Sequence, residues 1–478
     1  MSALAKVGDP AELDLTGLAR AIADREVSAA EIVQYTANRA ARLQPKLNCF
    51  IATDFDRAFD AAKRADATAG DKRGPLHGVP VAHKDMYYRA GQVATGGTKI
   101  RRDFRPDYTA TVLERLDHAG AIEIGTLNMA EFALYPTGHN AHYGDCRNPW
   151  DTDRITGGSS SGSGAAIAAR LCWGSLGSDS GGSVRIPSAF CGVSGLKPTA
   201  GRVSRHGIMP LAHSLDYVGP LTQSVRDIAR LLGVIAGADG KDHTASDLPV
   251  GDYQAGLGMG VKGLRIGVLR RYFFDGAGPE IVRALDGALD VFRGLGAEIV
   301  ELDMPEAELC ATYAYFALFG EFSSIHVPWL GARLADYGPM ARNRLLRGLA
   351  VPAARYHEAM TRRGPLLKSV LDGRFARADL LFAPTTNLAA PTFAEADESN
   401  AESRALLGKI ARNTRIFNYL GLPALSIPCG FAEPGLPVAM QLVGKPFGEA
   451  RLLRAGHAYQ EATDWHRRMP ALRTSSAA

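Results

Sequence analysis

Short apolar runs alternate with amphipathic, helix-periodic segments along this 478-residue chain, and that alternation predicts an α/β layered fold. Two further observations support it. Hydrophobic residues make up 46% of the sequence, and a chain this long buries about three-quarters of its unfolded surface on folding, enough for a large core. The 22% of charged residues, mixed in sign, complete the composition of a folded rather than disordered chain.

The elements follow in order. Two helices are expected in the first fifty residues. Ser28 and Glu31 form a capping box, with Val33, Ala37 and Ala40 at helical spacing behind it. A third helix, rich in alanine and charge, is expected over 54–67. Residues 78–83 read as a buried strand that delivers Lys84 and Asp85. A helix over 109–118 and a strand over 121–125 come next. Strands over 264–269 and 297–302 flank another helix, and 378–384 is a strand ending at a proline. Residues 300–370 read as a mostly helical, aromatic and variable substrate-side region, with no obvious chemistry of its own.

The composition also excludes several classes. No run of about 18 apolar residues is present, so no membrane-spanning helix is expected. The first ten residues lack the apolar core of a signal peptide. A net charge of +4 is too weak to argue for a nucleic-acid partner. Cys49, Cys146, Cys172, Cys191, Cys310 and Cys429 form no Cys-x-x-Cys pair and suit free, buried thiols in a reducing, cytoplasmic setting. His139 and His142 stand three apart with no nearby carboxylate to complete a ligand set, and read as a loop pair rather than a metal site.

Two Gly/Ser-rich segments carry the chemistry: Gly157-Gly-Ser-Ser-Ser-Gly-Ser-Gly164 and Gly177-Ser-Asp-Ser-Gly-Gly-Ser183. A helix-like run, 165–171, and a strand-like run, 172–176, lie between them, which argues against a flexible linker. Two serine-hydrolase templates fail on context. Residues 158–162 fit Gly-x-Ser-x-Gly, but a polar loop precedes them where a nucleophile elbow needs a buried strand. Ser194-Gly-Leu-Lys197 fits Ser-x-x-Lys, but Gly195 and Pro198 oppose the helix that motif needs.

A third arrangement fits. The two segments, continuing through Val184-Arg-Ile-Pro187 and Ser188-Ala-Phe-Cys-Gly-Val-Ser-Gly-Leu-Lys-Pro-Thr199, resemble the amidase signature family. So do Gly78-Val-Pro-Val-Ala-His-Lys-Asp85, Ser214-Leu-Asp-Tyr-Val-Gly-Pro220 and Phe417-Asn-Tyr-Leu-Gly-Leu-Pro-Ala-Leu-Ser-Ile-Pro428. The similarity is dense over 75–225 and returns over 375–460. It implies one large α/β domain over 71–478, with a mixed, mostly parallel central sheet covered by helices on both faces. An N-terminal helical segment, 1–70, would pack on it.

The resemblance also implies roles. Lys84 matches the family's base, Ser183 its nucleophile, and Ser159 its bridging serine on a cis peptide. The 24-residue spacing of the two serines is the family's own. The backbone amides of Ser180, Gly181, Gly182 and Ser183 match its oxyanion hole. Ser161 and Ser163 stand where glycine or another small residue is common, and Ser180 replaces a more usual Ile or Thr. His83 and Met86 flank Lys84-Asp85 less conventionally.

These residue types suit amide chemistry. A serine hydroxyl needs a base to attack an amide, and no histidine lies in either glycine-rich motif. Lysine serves only when neutral, which requires a drop of about 3.4 units from its reference pKa to reach pH 7, or roughly 4–5 kcal/mol. Burial supplies shifts of that size. Asp179 and Arg185 are expected to hold the loop rather than react. For the substrate pocket, Tyr135, Gly157, Gly158, Tyr313 and Phe316 are the candidates, with Tyr87, Tyr315, Phe319 and Trp329 as further aromatic residues. The expected function is hydrolysis of a small-molecule carboxamide or related linear C–N bond, by a homodimer needing no metal or cofactor. The alternatives are the amidase (glutaminase) subunit of a tRNA-dependent amidotransferase, an aryl ester or hydrazide hydrolase with the same residues, and a binding protein built on a dead amidase.

Overall fold

The computed structural model describes residues 8–397 and 401–472; the reading of the chain's start falls largely outside them. Eleven strands build the central sheet. They are β1 (Phe50–Thr53), β2 (Pro80–Lys84), β3 (Ile122–Leu127), β4 (Gly174–Ser178), β5 (Ser194–Lys197), β6 (Val218–Thr222), β7 (Arg265–Leu269), β8 (Glu298–Leu302), β9 (Leu380–Pro384), β10 (Ala424–Ala432) and β11 (Leu436–Val443). Their order is β1-β3-β2-β4-β6-β5-β10-β11-β9-β7-β8. Pairing is parallel across β3-β2-β4 and across β9-β7-β8, on either side of an antiparallel centre. This is the α/β fold with a mixed sheet that was expected. The central strands β2, β4, β5, β6, β9 and β11 are buried along their whole length, because helices cover both faces.

The expected helices form. Leu15–Ala23 and Ala29–Leu47 occupy the N-terminal segment, with the Ser28–Glu31 capping box made in both directions. Phe55–Ala67 and Thr111–His118 follow. The expectation of helices alone for 1–70 misses β1, which pairs antiparallel with β3 at the sheet edge. Leu15 N–H and Thr16 N–H donate to the buried Asp227 carboxylate, tying the N-terminal helix to the helix Val225–Ile235.

Three other readings are refined. Residues 147–155 are not all loop: Arg147–Asn148 and Asp151–Ile155 form a small two-stranded ribbon, largely exposed, and so still not the buried strand of a nucleophile elbow. Ser194–Lys197 is a strand, not a helix. A carboxylate from eleven residues upstream does reach His142: its Nε2 lies 2.9 Å from Glu131 Oε1, while His139 packs edge-on against Phe393. Among the described residues no cluster of His, Cys, Asp and Glu could hold a metal ion, and no helix is long and apolar enough to cross a membrane. All six cysteines are buried and free.

Candidate active site

The two Gly/Ser segments meet at the C-terminal ends of β2 and β4. The helix Ser161–Ala168 is buried at every position, and its small side chains allow that depth. A methyl on Gly162 would meet Asn128 N at 2.6 Å, so only glycine fits there. Ser160 N–H donates to Ser183 O at 3.2 Å, stitching the first segment to the second. The Gly158–Ser159 peptide bond is cis.

Lys84 ends β2 inside this junction, with no solvent exposure. Its Nζ donates to Ser159 Oγ at 2.6 Å and to Ser178 Oγ at 2.8 Å. Burial pulls the Lys84 ammonium down to about 7, against the opposing pull of Asp179 and Asp216. Asp85 does not spoil this. Its carboxylate turns to Thr95, accepting from both the backbone N–H and the hydroxyl. His83 turns to Glu123, 3.3 Å away, on the opposite face of the strand from the amine. Ser178 is the residue that the motif reading missed. It lies in the second segment but has no assigned part in the resemblance, and only the through-space contact with Lys84 reveals it.

Ser183 is 9% exposed and borders a cavity of about 190 Å³. Its hydroxyl makes no hydrogen bond to the protein among the described residues, so Ser159 is linked to Lys84 but not yet to Ser183. The amides around it divide. Gly182 N–H is spent on Asp179 Oδ1 at 2.7 Å, and Gly182 does not reach the cavity. This removes Gly182 from the expected oxyanion donors, because one N–H satisfied by a buried carboxylate has nothing left for a ligand. Ser180, Gly181 and Ser183 all line the cavity, and their N–H groups meet no protein acceptor among the described residues.

Asp179 holds the loop that carries them. Arg185 grips it with two parallel bonds, Nε to Oδ2 at 3.0 Å and Nη2 to Oδ1 at 3.1 Å, both side chains fully buried. Asn418 Nδ2 adds a bond at 2.8 Å. Burial alone would raise the Asp179 pKa, but the Arg185 charge and these hydrogen bonds overcome it and hold the carboxyl at about 2.

The cavity wall differs from expectation. Tyr135 lines it, as expected. Gly157 and Gly158 instead back the Ser159 turn, with Gly158 N–H donating to Pro136 O at 2.7 Å. Tyr313 and Phe316 point elsewhere, and Tyr313 Oη donates to Glu358 at 2.7 Å. Their helix, Ala307–Arg333, presents Ala314, Tyr315, Leu318 and Phe319 to the cavity. Those four positions form one stripe at i, i+4 spacing, which Tyr313 and Phe316 do not share. Tyr87 is buried away from it, donating to Gly177 O at 2.6 Å, and Trp329 packs on Phe132. The 300–370 region thus supplies one side of the pocket, through other residues than those expected, with Arg344 and Arg347 beside the aromatic stripe.

Comparison with known proteins agrees with this architecture. The family profile described as Amidase matches residues 31–453. This chain belongs to the amidase signature family. It is 40% identical over 483 residues to a glutamyl-tRNA(Gln) amidotransferase subunit from Azoarcus sp. (strain BH72), covering 95% of this chain and 98% of that one. A chain from a vestigial protein complex, described as revealing the evolutionary origins of an s-triazine catabolic enzyme, superposes with TM-score 0.88 at 34% identity. That match covers 94% of this chain and 98% of the other. A 6-aminohexanoate cyclic dimer hydrolase superposes with TM-score 0.86 at 28% identity, covering 97% and 99%. This amidase signature protein is therefore an enzyme of carbon–nitrogen bonds, a hydrolase or an amidotransferase.

Proposed function

We propose that this protein is an amidohydrolase that cleaves a small carboxamide through an acyl-enzyme on Ser183. The observation that carries the reading is the buried Lys84 amine, hydrogen-bonded to Ser159 and held near neutrality. In its uncharged form Lys84 takes a proton from Ser159 as Ser159 takes one from Ser183. The Ser183 oxygen then bonds to the carbonyl carbon, and the N–H groups of Ser180, Gly181 and Ser183 receive the developing negative charge. The relay returns the proton to the nitrogen as the C–N bond breaks, releasing ammonia or an amine. Water, deprotonated by the same groups, then cleaves the ester. Oxyanion donors of this kind are typically worth about 10²–10³ in rate each. Esters and hydrazides are open to the same acyl-enzyme. The test is mass spectrometry of a quenched reaction: a substrate-derived acyl group on Ser183 supports the reading, and an adduct elsewhere sinks it.

The likeness to glutamyl-tRNA(Gln) amidotransferase subunits favours a second reading, as the glutaminase subunit of a tRNA-dependent amidotransferase. Size-exclusion chromatography with a glutaminase assay separates the two. A homodimer active alone on simple amides fits the first, and a chain that releases ammonia from glutamine only with partner subunits fits the second.

A further inference from the structure

Glu131 is a fully buried carboxylate that the relay does not use. Tyr135 Oη–H donates to its Oε2 at 3.2 Å, His142 Nε2 lies 2.9 Å from its Oε1, and Gly338 N–H donates to Oε2 at 3.0 Å. Those partners come from the cavity wall, from the loop beyond it, and from the start of the helix Pro339–Leu349. A methyl on Gly338 would meet Glu131 Oε2 at 2.7 Å, so glycine is what lets that N–H come close. The turn after Glu131 is strained: Phe132 has φ +51° and Ala133 φ +62°, both left-handed although neither is glycine. Such conformations persist where the surroundings over-determine them, and the Glu131 carboxylate, held at both oxygens, fastens the turn at its first residue. The same segment brackets the bridging serine. Ala130 N–H donates to Ser159 O at 3.0 Å, and Gly158 N–H donates to Pro136 O at 2.7 Å. Arg344 lies 5.3 Å from the Tyr135 ring centroid, and its Nη1 donates to Leu134 O at 3.1 Å, so the helix pinned by Glu131 also presses on this wall.

Resting on the amidohydrolase reading, we infer that Glu131 is a positioning residue: by fastening the 131–135 turn it sets both Ser159 in the relay and the Tyr135 wall that limits how bulky a substrate the cavity admits. The cavity, at about 190 Å³, is smaller than the roughly 300–1,000 Å³ of sites for drug-sized ligands, so the place of one ring in its wall decides what fits. A reacting group displaced by about 1 Å can cost about 100-fold in rate, so the turn acts on chemistry as well as on fit. Removing the carboxylate leaves the Tyr135 hydroxyl and the Gly338 N–H without the acceptor that aligns them. Glutamine in its place keeps one such acceptor.

The experiment compares benzamide with the bulkier 4-phenylbenzamide, using the purified full chain as wild type, E131M, E131Q, Y135F and the double variant E131M/Y135F. The ratio of kcat/KM for benzamide to that for 4-phenylbenzamide is expected to narrow about fivefold or more in E131M and by less in E131Q. The double variant should narrow it no further than E131M alone, because the ring has already lost its tether. E131M should also lower kcat for benzamide about tenfold through Ser159, and Y135F, which leaves Glu131 on His142 and Gly338, should lower it less. A carboxylate that only sustained the folded population would reduce both substrates alike and leave the ratio where it was. A ratio indifferent to E131M, or effects of the two substitutions that add in full, overturns the inference. Should E131M fail to fold, Y135F decides alone, and an unchanged ratio in it overturns the clamp. Crystal structures of wild type and Y135F need no turnover. A ring at position 135 displaced from its wild-type place upholds the clamp even if no amide is cleaved, in which case only the amidohydrolase reading falls. A ring that stays in place overturns it.

Discussion

Lys84 Nζ lies 2.6 Å from Ser159 Oγ in a space with no solvent exposure, and its neighbours at bonding distance are hydroxyls rather than carboxylates. An amine so placed loses its hydration, and the pull of Asp179 and Asp216 offsets only part of that loss, which is why its pKa falls to about 7. The base form is therefore the abundant one above neutrality. kcat/KM is expected to fall about tenfold per pH unit below about 7 and to level off above it. The same depression acts on stability. The folded value lies below the unfolded one, so the penalty of burying the amine is complete below about pH 7 and fades as pH climbs toward about 10.4. Lys84→Met should abolish turnover yet raise the melting temperature at pH 6–7, with the gain shrinking by pH 10. Near-normal activity of Lys84→Met at pH 7 would refute the relay.

Ser178 makes the second bond to Lys84, at 2.8 Å. An acceptor beside an ammonium stabilises the charged form more than the neutral one. Ser178→Ala should thus move the acid limb of the pH–rate profile below 7, while loss of orientation lowers the plateau about tenfold. A limb that stays in place, with the plateau alone reduced, would show that Ser178 only positions the amine.

Much of this was legible in the residues. The capping box at Ser28, the apolar run into Lys84 and the paired Gly/Ser segments predicted their elements because each signal is local. The sheet order was not legible, since β5 and β6 cross between β4 and β10 through contacts that no single segment encodes. The pocket wall was half legible. Aromatic content in 300–370 was plain, but which helical face points inward depends on the partner it packs on, and Tyr313 and Phe316 fall on the other side. Gly182 was misplaced for a similar reason: its N–H looks free in the motif, and only the fold shows Asp179 claiming it.

Gly181 and Gly182 are neighbours with opposite tolerance. Gly182 has φ +130°, and a methyl there would strike the Thr414 side chain; it would also disturb the N–H that binds Asp179. Gly182→Ala should destabilise the protein by about 3 kcal/mol or more, adding backbone strain to the strain on a buried ion pair. Gly181 has ordinary φ and only Arg415 Cβ nearby, at 4.0 Å. Gly181→Ala should melt within a degree or two of wild type while slowing turnover, because its methyl enters the cavity. Thermal denaturation of both variants checks the contrast, and equal melting temperatures would contradict it.

Phe319 faces the cavity and packs against Tyr315, their rings tilted and their centroids 4.4 Å apart, whereas Tyr313 lies off that stripe and binds Glu358. Burying an aromatic acyl group against such a wall is worth about 1.5–3 kcal/mol. Phe319→Ala should therefore lower kcat/KM for a benzamide-type substrate about tenfold or more, chiefly through KM, while affecting a short aliphatic amide less, since the shorter chain does not reach the ring. Because removal of a packed phenylalanine also costs stability, Phe319→Leu is the companion variant, expected to keep the fold and show a smaller loss of the same sign. Tyr313→Phe, which removes only the hydrogen bond to Glu358, should change the aromatic-to-aliphatic preference by less than twofold. If Tyr313→Phe shifted that preference as much as Phe319→Ala, the inward face of the helix would have been assigned to the wrong residues.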